Sequence, residues 1–212
     1  MQSVRFSFMA TKTSAKRTPA KKAPARRSGK AKLLEQKLAY DGPLFKVWSE
    51  TVKEPGGIVS NRDIIRHNGS VVVLAVDDRQ SKRDPYIIME RQYRQAAQQF
   101  LLELPAGRRE ADEKPLAAAK REMIEETGYR ARTWKKLVRY YASPGFLAEW
   151  MEIYLATDLI EGEAQPEDDE KIEILRIRLS ELLKMRNEGL IHDGKTIIGI
   201  SIYEALRRTG KA

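Results

Sequence analysis

The sequence contains no cysteine and only two histidines, His67 and His192, which lie far apart along the chain. The absence of cysteine excludes disulfide bonds, thiolate zinc sites and cysteine nucleophiles. Any metal site must therefore be built mainly from oxygen ligands, which favour Mg²⁺, Mn²⁺ or Ca²⁺ over zinc. We interpret the two histidines as structural or turn residues.

Long apolar runs are also missing. No segment approaches the roughly 18 consecutive apolar residues that a membrane-spanning helix needs, and Arg5 and Ser7 interrupt the short apolar stretch at residues 4–10. We therefore expect a cytoplasmic protein with no membrane partner. Its 212 residues, 42% of them hydrophobic, are enough for one globular domain with a short appendage.

The N-terminal tail lacks acidic residues. Residues 1–32 contain ten Lys and Arg and no Asp or Glu, whereas the rest of the chain has 29 Lys and Arg against 30 Asp and Glu. The formal charge of +9 therefore belongs to the tail, which predicts at most weak, non-specific contact with nucleic acid. Residues 10–32 have no aliphatic side chain larger than Ala, so we expect the tail to be disordered.

From residue 44 onward, segments rich in Val, Ile and aromatic residues alternate with turn signals, which predicts strands joined by loops. The predicted strands are Leu44–Val52, Arg62–Arg66, Ser70–Val76, Tyr86–Gln92, Trp134–Tyr141, Trp150–Thr157 and Ile172–Leu179. The clearest helix is Pro115–Thr127, with Pro in its first turn and Gly128 after its end, although Lys114 is a poor N-cap. Two further helices are predicted at Ser180–Asn187 and Thr196–Arg208. The pattern indicates an α/β (α+β) fold with a mixed sheet flanked by helices.

One motif within this pattern carries the chemistry. Gly107 is followed after five residues by Glu113, and after seven more by the run Arg-Glu-Met-Ile-Glu-Glu-Thr-Gly-Tyr at 121–129. Three carboxylates of the run stand at i, i+3 and i+4, so they share one face of a helical turn. A divalent cation bound among them would relieve their repulsion, bridge phosphate oxygens and activate water. The alternative is a solvated acidic face, the commoner explanation of a bare charge cluster.

The complete motif resembles the Nudix box, the signature of hydrolases that cut a nucleoside diphosphate linked to a second group. The resemblance implies a Nudix hydrolase domain over residues 67–212 with Mg²⁺, or Mn²⁺, as cofactor. It implies Glu122 and Glu126 as catalytic metal ligands, with Glu125 and the carbonyl of Ala106 as further ligands.

Other positions of the box have structural roles by the same resemblance. Glu113 and Arg121 pair with or orient the ligands, Gly107 permits the loop turn, and Gly128 caps the helix. Four apolar residues of the helix are expected to face the core rather than the substrate: Ala117, Ala118, Met123 and Ile124.

Flanking residues resemble the ADP-ribose pyrophosphatase subgroup. They are the segment Glu103 to Gly107 leading into the box, Pro144 at 15 residues past Tyr129, and Glu149 after it. The segment Gln92-Tyr93-Arg94 matches a strand end that places a guanidinium near the substrate phosphates. Residues 193–196 resemble the start of the last helix of the subgroup. Arg94, Glu103, Pro144 and Glu149 are therefore candidate substrate-binding residues.

The resemblance also implies a carboxylate outside the box that acts on water. The acidic run Glu167-Asp168-Asp169-Glu170 precedes the last predicted strand, and we choose Glu170 because it stands two residues before Ile172. The alternative is a solvated acidic loop.

In this subgroup the N-terminal strands build a small antiparallel sheet that exchanges with a partner, which implies a homodimer with residues 33–66 as its dimerisation element. Phe45 and Trp48, together with Tyr40, are candidates for stacking on adenine near that interface. For at least one of these aromatics we expect core packing instead, because aromatics at strand spacing usually fill the core.

Two rival functions stay open. The first is another Nudix specificity, chiefly a nucleotide-sugar hydrolase of the GDP-mannose type, which shares the dimeric architecture. The second is a nucleic-acid-associated protein that binds phosphate backbone through its basic tail.

Overall fold

The computed structural model describes residues 29–43, 45–164 and 171–210. The expected disorder of the tail up to residue 28 and the choice of Glu170 among residues 167–170 therefore lie outside the described residues. In the described part of the chain no helix is long and apolar enough to cross a membrane.

The N-terminal strands form a separate antiparallel sheet in the order β1-β2-β3, as predicted. Its strands are β1 (Lys32–Asp41), β2 (Lys46–Lys53) and β3 (Val59–Ile65). Strand β1 was not among the predicted strands, and it begins at Lys32, the last residue assigned to the tail. Every residue of β1 is exposed in the single chain, so both faces of this edge strand are uncovered.

The main sheet is mixed, which confirms the predicted fold class. Its five-stranded path runs β10-β5-β4-β9-β8, with β6 paired to β5 and β7 to β4. Strands β4 and β9 are parallel, and the other pairs are antiparallel. The strands are β4 (Ser70–Asp77), β5 (Tyr86–Arg94), β6 (Gln99–Glu103), β7 (Ala106–Arg108), β8 (Arg130–Tyr141), β9 (Trp150–Ile160) and β10 (Glu173–Arg178).

Three helices flank this sheet: α1 (Pro115–Thr127), α2 (Leu179–Asn187) and α3 (Gly194–Arg208). Helix α1 has the predicted bounds. It begins with Pro115, Lys114 gives it no side-chain cap, and Gly128 ends it in the left-handed region with its N–H donating to the Ile124 carbonyl at 2.9 Å. Glycine suits this C-cap because a left-handed residue with a Cβ is strained.

Strand β4 is buried along its whole length and divides the core into two layers. Val72, Leu74 and Val76 face the cluster that includes residues of α2 and α3, whereas Val71 and Val73 face the cluster that includes α1. This alternation is the period of two that a strand imposes. The sheet is therefore sandwiched between helices, and α1 is held in place by one face of its central strand.

The predicted inner face of α1 needs one correction. Ala118 and Met123 are fully buried and Ile124 is half-buried, but Ala117 is exposed and Ala119 is buried in its place. Ala119 lies one turn before Met123 on the same face of the helix, whereas Ala117 points about 200° away from Ala119 at 3.6 residues per turn.

Candidate metal centre

The short strand β7 brings the start of the motif against its helix. The Cα of Gly107 lies so close to α1 that a Cβ added there would overlap the Glu122 carboxyl group. Gly107 does not adopt a positive φ, so the prediction that it permits a loop turn is wrong. Its lack of a side chain leaves room for the Glu122 carboxyl group beside β7, which is paired with β4.

Arg121 organises the carboxylates at the exposed side of α1. It donates from Nε and an Nη to the two oxygens of Glu113 at 3.2 Å each, and it also binds Glu125 at 2.8 Å and Glu122 at 2.9 Å. Its Nη2 also donates to the Arg108 carbonyl at 3.2 Å. The hydrogen bond from Arg121 lowers the pKa of Glu113. We call Glu113, Arg121, Glu122 and Glu125 the helix cluster.

Glu126 turns away from the helix cluster toward the sheet. Its Oε2 accepts the Ala106 N–H at 3.0 Å, and its carboxylate is the hydrogen-bond partner of Glu90 on β5. The contact with Ala106 is therefore through the amide, while a metal ligand role for the carbonyl stays a prediction. Glu126 is 7% exposed. Through its contact with Glu90, it links helix α1 to the buried part of β5.

Glu90 is a site residue that the sequence analysis missed. It is 2% exposed, and burial raises its pKa to about 7, with the hydrogen bond to Glu126 acting in the opposite direction. The available signal was a single acid directly after the apolar run Ile87-Ile88-Met89, where a strand core is expected to continue.

Arg94 is held by buried groups from two other elements. Its guanidinium makes a bidentate pair with Glu103 of β6, at 2.8 Å and 2.9 Å. Lys195 of α3 binds the same carboxylate, and its Nζ also lies 3.1 Å from Asp193 Oδ1. Burial acts to raise the pKa of Glu103, but hydrogen bonds from Arg94 and Lys195 outweigh it, and the pKa is lowered. We call Glu90, Arg94, Glu103 and Lys195 the strand cluster.

The two clusters meet at a cleft of about 1010 Å³. Arg94 is 40% exposed and lines it, whereas Glu103 is buried and does not. Glu103 binds Arg94 and Lys195 with both of its oxygens, and a direct contact between Glu103 and substrate stays a prediction. The cleft is lined mainly by charged and polar groups: Arg66, His67, Asn68, Arg94, Arg108, Arg109, Glu110, Arg121, Glu122, Glu125 and Glu126, with Phe45, Ala106, Gly107 and Ala148.

The three candidate aromatics do not behave alike. Phe45 lines the cleft and packs against Tyr40, with 5.6 Å between ring centroids. Trp48 is half-buried in β2 and does not line the cleft. None of the three belongs to the buried clusters of the described chain, so the expected core role is wrong for this fold.

The downstream candidates lie at the edge of the site. Pro144 is exposed in the turn before β9 and is not among the residues that line the cleft, and its contact with substrate stays a prediction. Glu149 accepts a hydrogen bond from Ser70 at 2.5 Å and lies 3.8 Å from the ring of His67. His67 accepts the Gly69 N–H at 3.0 Å, the turn contact expected of it, and it also lines the cleft. His192 is exposed just before α3.

The donor set fits a hard divalent cation. It consists of carboxylate oxygens, and one of them, Glu90 Oε1, is buried without a hydrogen-bond partner among the described residues. Within the described ranges no three Asp, Glu or His side chains already converge to hold an ion by themselves, since Arg121 binds Glu122 and Glu125 while Glu126 faces the sheet. Such a site suits an ion that keeps waters and takes part of its shell from substrate phosphates, as Mg²⁺ does.

Comparison with known proteins agrees with this geometry. The chain matches the NUDIX domain family over residues 66–196. It is 34% identical to the ADP-ribose pyrophosphatase of Bacillus subtilis over 84% of this chain and 95% of that protein. It is 33% identical to the methanol dehydrogenase activator of Bacillus methanolicus over 83% of this chain and 95% of that protein.

Two further matches are a relative that covers less of this chain and a solved structure with lower sequence identity. The GDP-mannose pyrophosphatase of Citrobacter koseri is 33% identical over 65% of this chain and 78% of that protein. A solved structure of an ADP compounds hydrolase superposes with a TM-score of 0.73 over 87% of this chain and 98% of its own, at 20% identity, which supports the fold alone. From the matched domain and the curated relatives, the chain belongs to the Nudix family.

Proposed function

We propose that this chain is an Mg²⁺-dependent Nudix pyrophosphatase that hydrolyses ADP-ribose to AMP and ribose 5-phosphate. The observation that carries the proposal is the cleft in which Glu122, Glu125 and Glu126 meet the guanidinium of Arg94. A pyrophosphate needs cationic partners, and the same cleft supplies a cation site and an arginine. The similarity to the Bacillus subtilis ADP-ribose pyrophosphatase over nearly its whole length supports the substrate.

The residues divide the work by position. Glu122 and Glu126 would hold the ion, with Glu125 and the Ala106 carbonyl as further ligands. Nudix hydrolases generally need a divalent metal, and such an ion neutralises charge on phosphate oxygens and makes bound water more acidic. The helix cluster keeps Glu122 and Glu125 on one face of α1, because Arg121 binds both.

Arg94 orients the pyrophosphate. Glu103 occupies its Nε and one Nη, which fixes the plane of the guanidinium while its exposed edge lines the cleft. A guanidinium held in this way forms directional hydrogen bonds to phosphate oxygens at a smaller cost in side-chain entropy. Phe45 at the cleft is the aromatic best placed to stack on adenine, with Tyr40 behind it.

Glu170 is proposed as the carboxylate that orients or deprotonates the attacking water. Strand β10, which begins three residues later, pairs with β5 so that Glu173 lies opposite Arg91 and Ile174 opposite Glu90. The chain therefore enters β10 beside the strand that carries Glu90 and Arg94. Glu167, Asp168 and Asp169 are the alternatives in the same segment.

A homodimer is proposed through residues 33–66. In β1 the side chains of Leu33, Leu34, Leu38 and Tyr40 are at least a third exposed, which is unusual for a strand in a finished sheet. A second copy would cover them and bring its own aromatics near the cleft. The cytoplasmic location and the weak nucleic-acid contact of the tail stay predictions.

The GDP-mannose type of hydrolase is the second candidate, favoured by the similarity to the Citrobacter koseri protein. The test is to incubate the full chain and Mg²⁺ with equal concentrations of ADP-ribose, GDP-mannose or a nucleoside triphosphate, and to separate the products by ion exchange. We expect AMP and ribose 5-phosphate as the fastest products. Faster release of GMP from GDP-mannose would favour the second candidate, and no hydrolysis of any of the three would contradict both.

A further inference from the structure

Glu90 is a buried acid that the Nudix motif does not contain. It follows two fully buried residues of β5, Ile88 and Met89, and it is less exposed than the motif residue Glu126 that it contacts. Its Oε1 is enclosed by protein and has no hydrogen-bond partner in the described part of the chain. A position with these neighbours ordinarily holds an apolar side chain, so the presence of a carboxylate requires an explanation.

The neighbouring acid Glu103 shows how a buried carboxylate of this chain is satisfied by cationic side chains. Glu103 lies opposite Glu90 in the β5–β6 pair. It receives two hydrogen bonds from Arg94 and an ion pair from Lys195, so both of its oxygens are satisfied. Both cations are thereby occupied, and Lys195 also binds Asp193.

Among the described residues, no cationic side chain donates a hydrogen bond to Glu90 Oε1. Its side chain faces Glu126, another acid, and two carboxylates in contact away from water repel each other unless a proton or a cation lies between them. Burial without a donor also removes the hydration of Oε1 with no replacement. A cation held jointly by Glu90 and Glu126 would satisfy the unpaired oxygen and remove the repulsion together.

We propose that Glu90 is a further carboxylate ligand of the divalent-cation centre and binds the ion together with Glu126. The proposal rests on the proposed function, because it adds a ligand to the same site. It agrees with the lack of any three converged ligands in the described ranges, since two carboxylates leave room for water and phosphate oxygens in the shell.

The test measures binding of Mn²⁺ alone, by electron paramagnetic resonance titration of the full chain. Glu90→Gln keeps the size of the side chain and a hydrogen bond to Glu126 but removes the charge, and we expect it to weaken Mn²⁺ binding at least about tenfold. Asp77→Asn is the matched control. Asp77 is equally buried but is bound by Arg79 and Arg176, at the end of β4 opposite to the pairing with β7. We expect this control to bind Mn²⁺ as the wild type does.

A second measurement separates a ligand from a structural acid. In the presence of a chelator, Glu90→Gln should unfold at the same temperature as the wild type or higher, because the buried charge is removed and the Gln amide can donate to Glu126. Added Mn²⁺ should then raise its unfolding temperature less than that of the wild type. A structural acid would instead make the chelated variant less stable and leave the effect of Mn²⁺ unchanged.

Three outcomes would overturn the assignment of Glu90. The first is Mn²⁺ binding by Glu90→Gln within twofold of the wild type while Glu126→Gln loses it. The second is binding kept by Glu90→Gln but lost by Glu90→Leu, which would make Glu90 only a positioning residue for Glu126. The third is an equal loss in Asp77→Asn. In the first two cases the metal centre itself stands, whereas a wild-type chain that binds no Mn²⁺ would contradict the proposed function as well.

Discussion

The helix cluster and the strand cluster carry the same kinds of charged group at one cleft, but they are built and solvated differently. The helix cluster comes from residues 113–125 and is partly exposed, with a single arginine serving three acids. The strand cluster joins β5, β6 and α3 across a hundred residues, and Glu90, Glu103 and Lys195 are buried. Water screens the first cluster, whereas every pair in the second acts at a lower effective dielectric. In the proposed function, local spacing along α1 would present the metal ligands, and the buried network would fix Arg94 where it can bind the substrate phosphates.

The largest effect is expected where the two clusters join. Glu126→Gln removes the carboxylate that contacts both the Ala106 amide and Glu90, so we expect kcat for ADP-ribose to fall on the order of 10³-fold at saturating Mg²⁺. The fold should remain, since no core volume is removed, and circular dichroism checks this. A near-wild-type rate would show that the junction of the clusters is not the metal centre.

The second largest effect is expected at Glu170, which belongs to neither cluster. Glu170→Gln should lower kcat on the order of 10²-fold with little change in KM, because a residue acting on water contributes mainly in the transition state. Single Gln or Asn variants at Glu167, Asp168 and Asp169 are the matched controls under the same metal saturation. If kcat collapses at one of those positions instead, that residue rather than Glu170 acts on water. If all four variants keep a kcat close to that of the wild type, none of the four acidic residues acts on water.

A matched pair of substitutions compares the clusters directly. Glu103→Gln breaks a buried bidentate pair and should cost about 3 kcal/mol of unfolding free energy, whereas Glu113→Gln in the helix cluster should cost less than about 1 kcal/mol. Only Glu103→Gln should also raise KM about tenfold, because it frees Arg94. Urea denaturation with chelator and steady-state kinetics measure the two quantities. Equal costs would mean that burial does not distinguish the clusters.

The same pair has a defined pH dependence. The pKa of Glu103 and that of Glu113 are both lowered in the folded chain. A lowered folded pKa gives stability that is fully present above the unfolded pKa of about 4.3 and is lost as the pH falls through the folded value. The stability difference between wild type and each Gln variant should therefore be largest near neutral pH and shrink below about pH 4. A difference that grows on acidification would contradict the assigned pairs.

The smallest effect is expected from the tail, which contributes no residue to either cluster. Removal of residues 1–28 should leave kcat and KM for ADP-ribose within about twofold, as expected for a change outside a site. Retention on a nucleic-acid column at low salt should fall, because ten basic residues of residues 1–32 carry the excess charge, and eight of them are removed. A large loss of hydrolysis in the truncated chain would instead assign the tail a part in the active site.

Local patterns determined much of this protein from the sequence alone. The bounds of α1, its Pro115 start and its Gly128 end depend on neighbouring residues, so they were predicted correctly. The shared face of Glu122, Glu125 and Glu126 depends only on helical spacing. Strand β1 was missed because its pairing with β2 is interrupted by two irregularities and none of its residues is buried in the single chain. Strands β6 and β7, on either side of Pro105, were also missed, and β7 has only three residues.

The tertiary structure decided which charged groups meet. Whether Glu103 touches substrate or holds Arg94 depends on Lys195, which is 92 residues away along the chain. Whether Gly107 forms a turn or leaves space for the Glu122 side chain depends on how near β7 lies to α1. Nothing in the run Ile87-Ile88-Met89-Glu90 states that its acid will face Glu126 without a donor for Oε1. The spacing of residues along one helix is a property of the chain, but burial and the partners of a charge arise only when distant strands pack together, and these set the energy of the site.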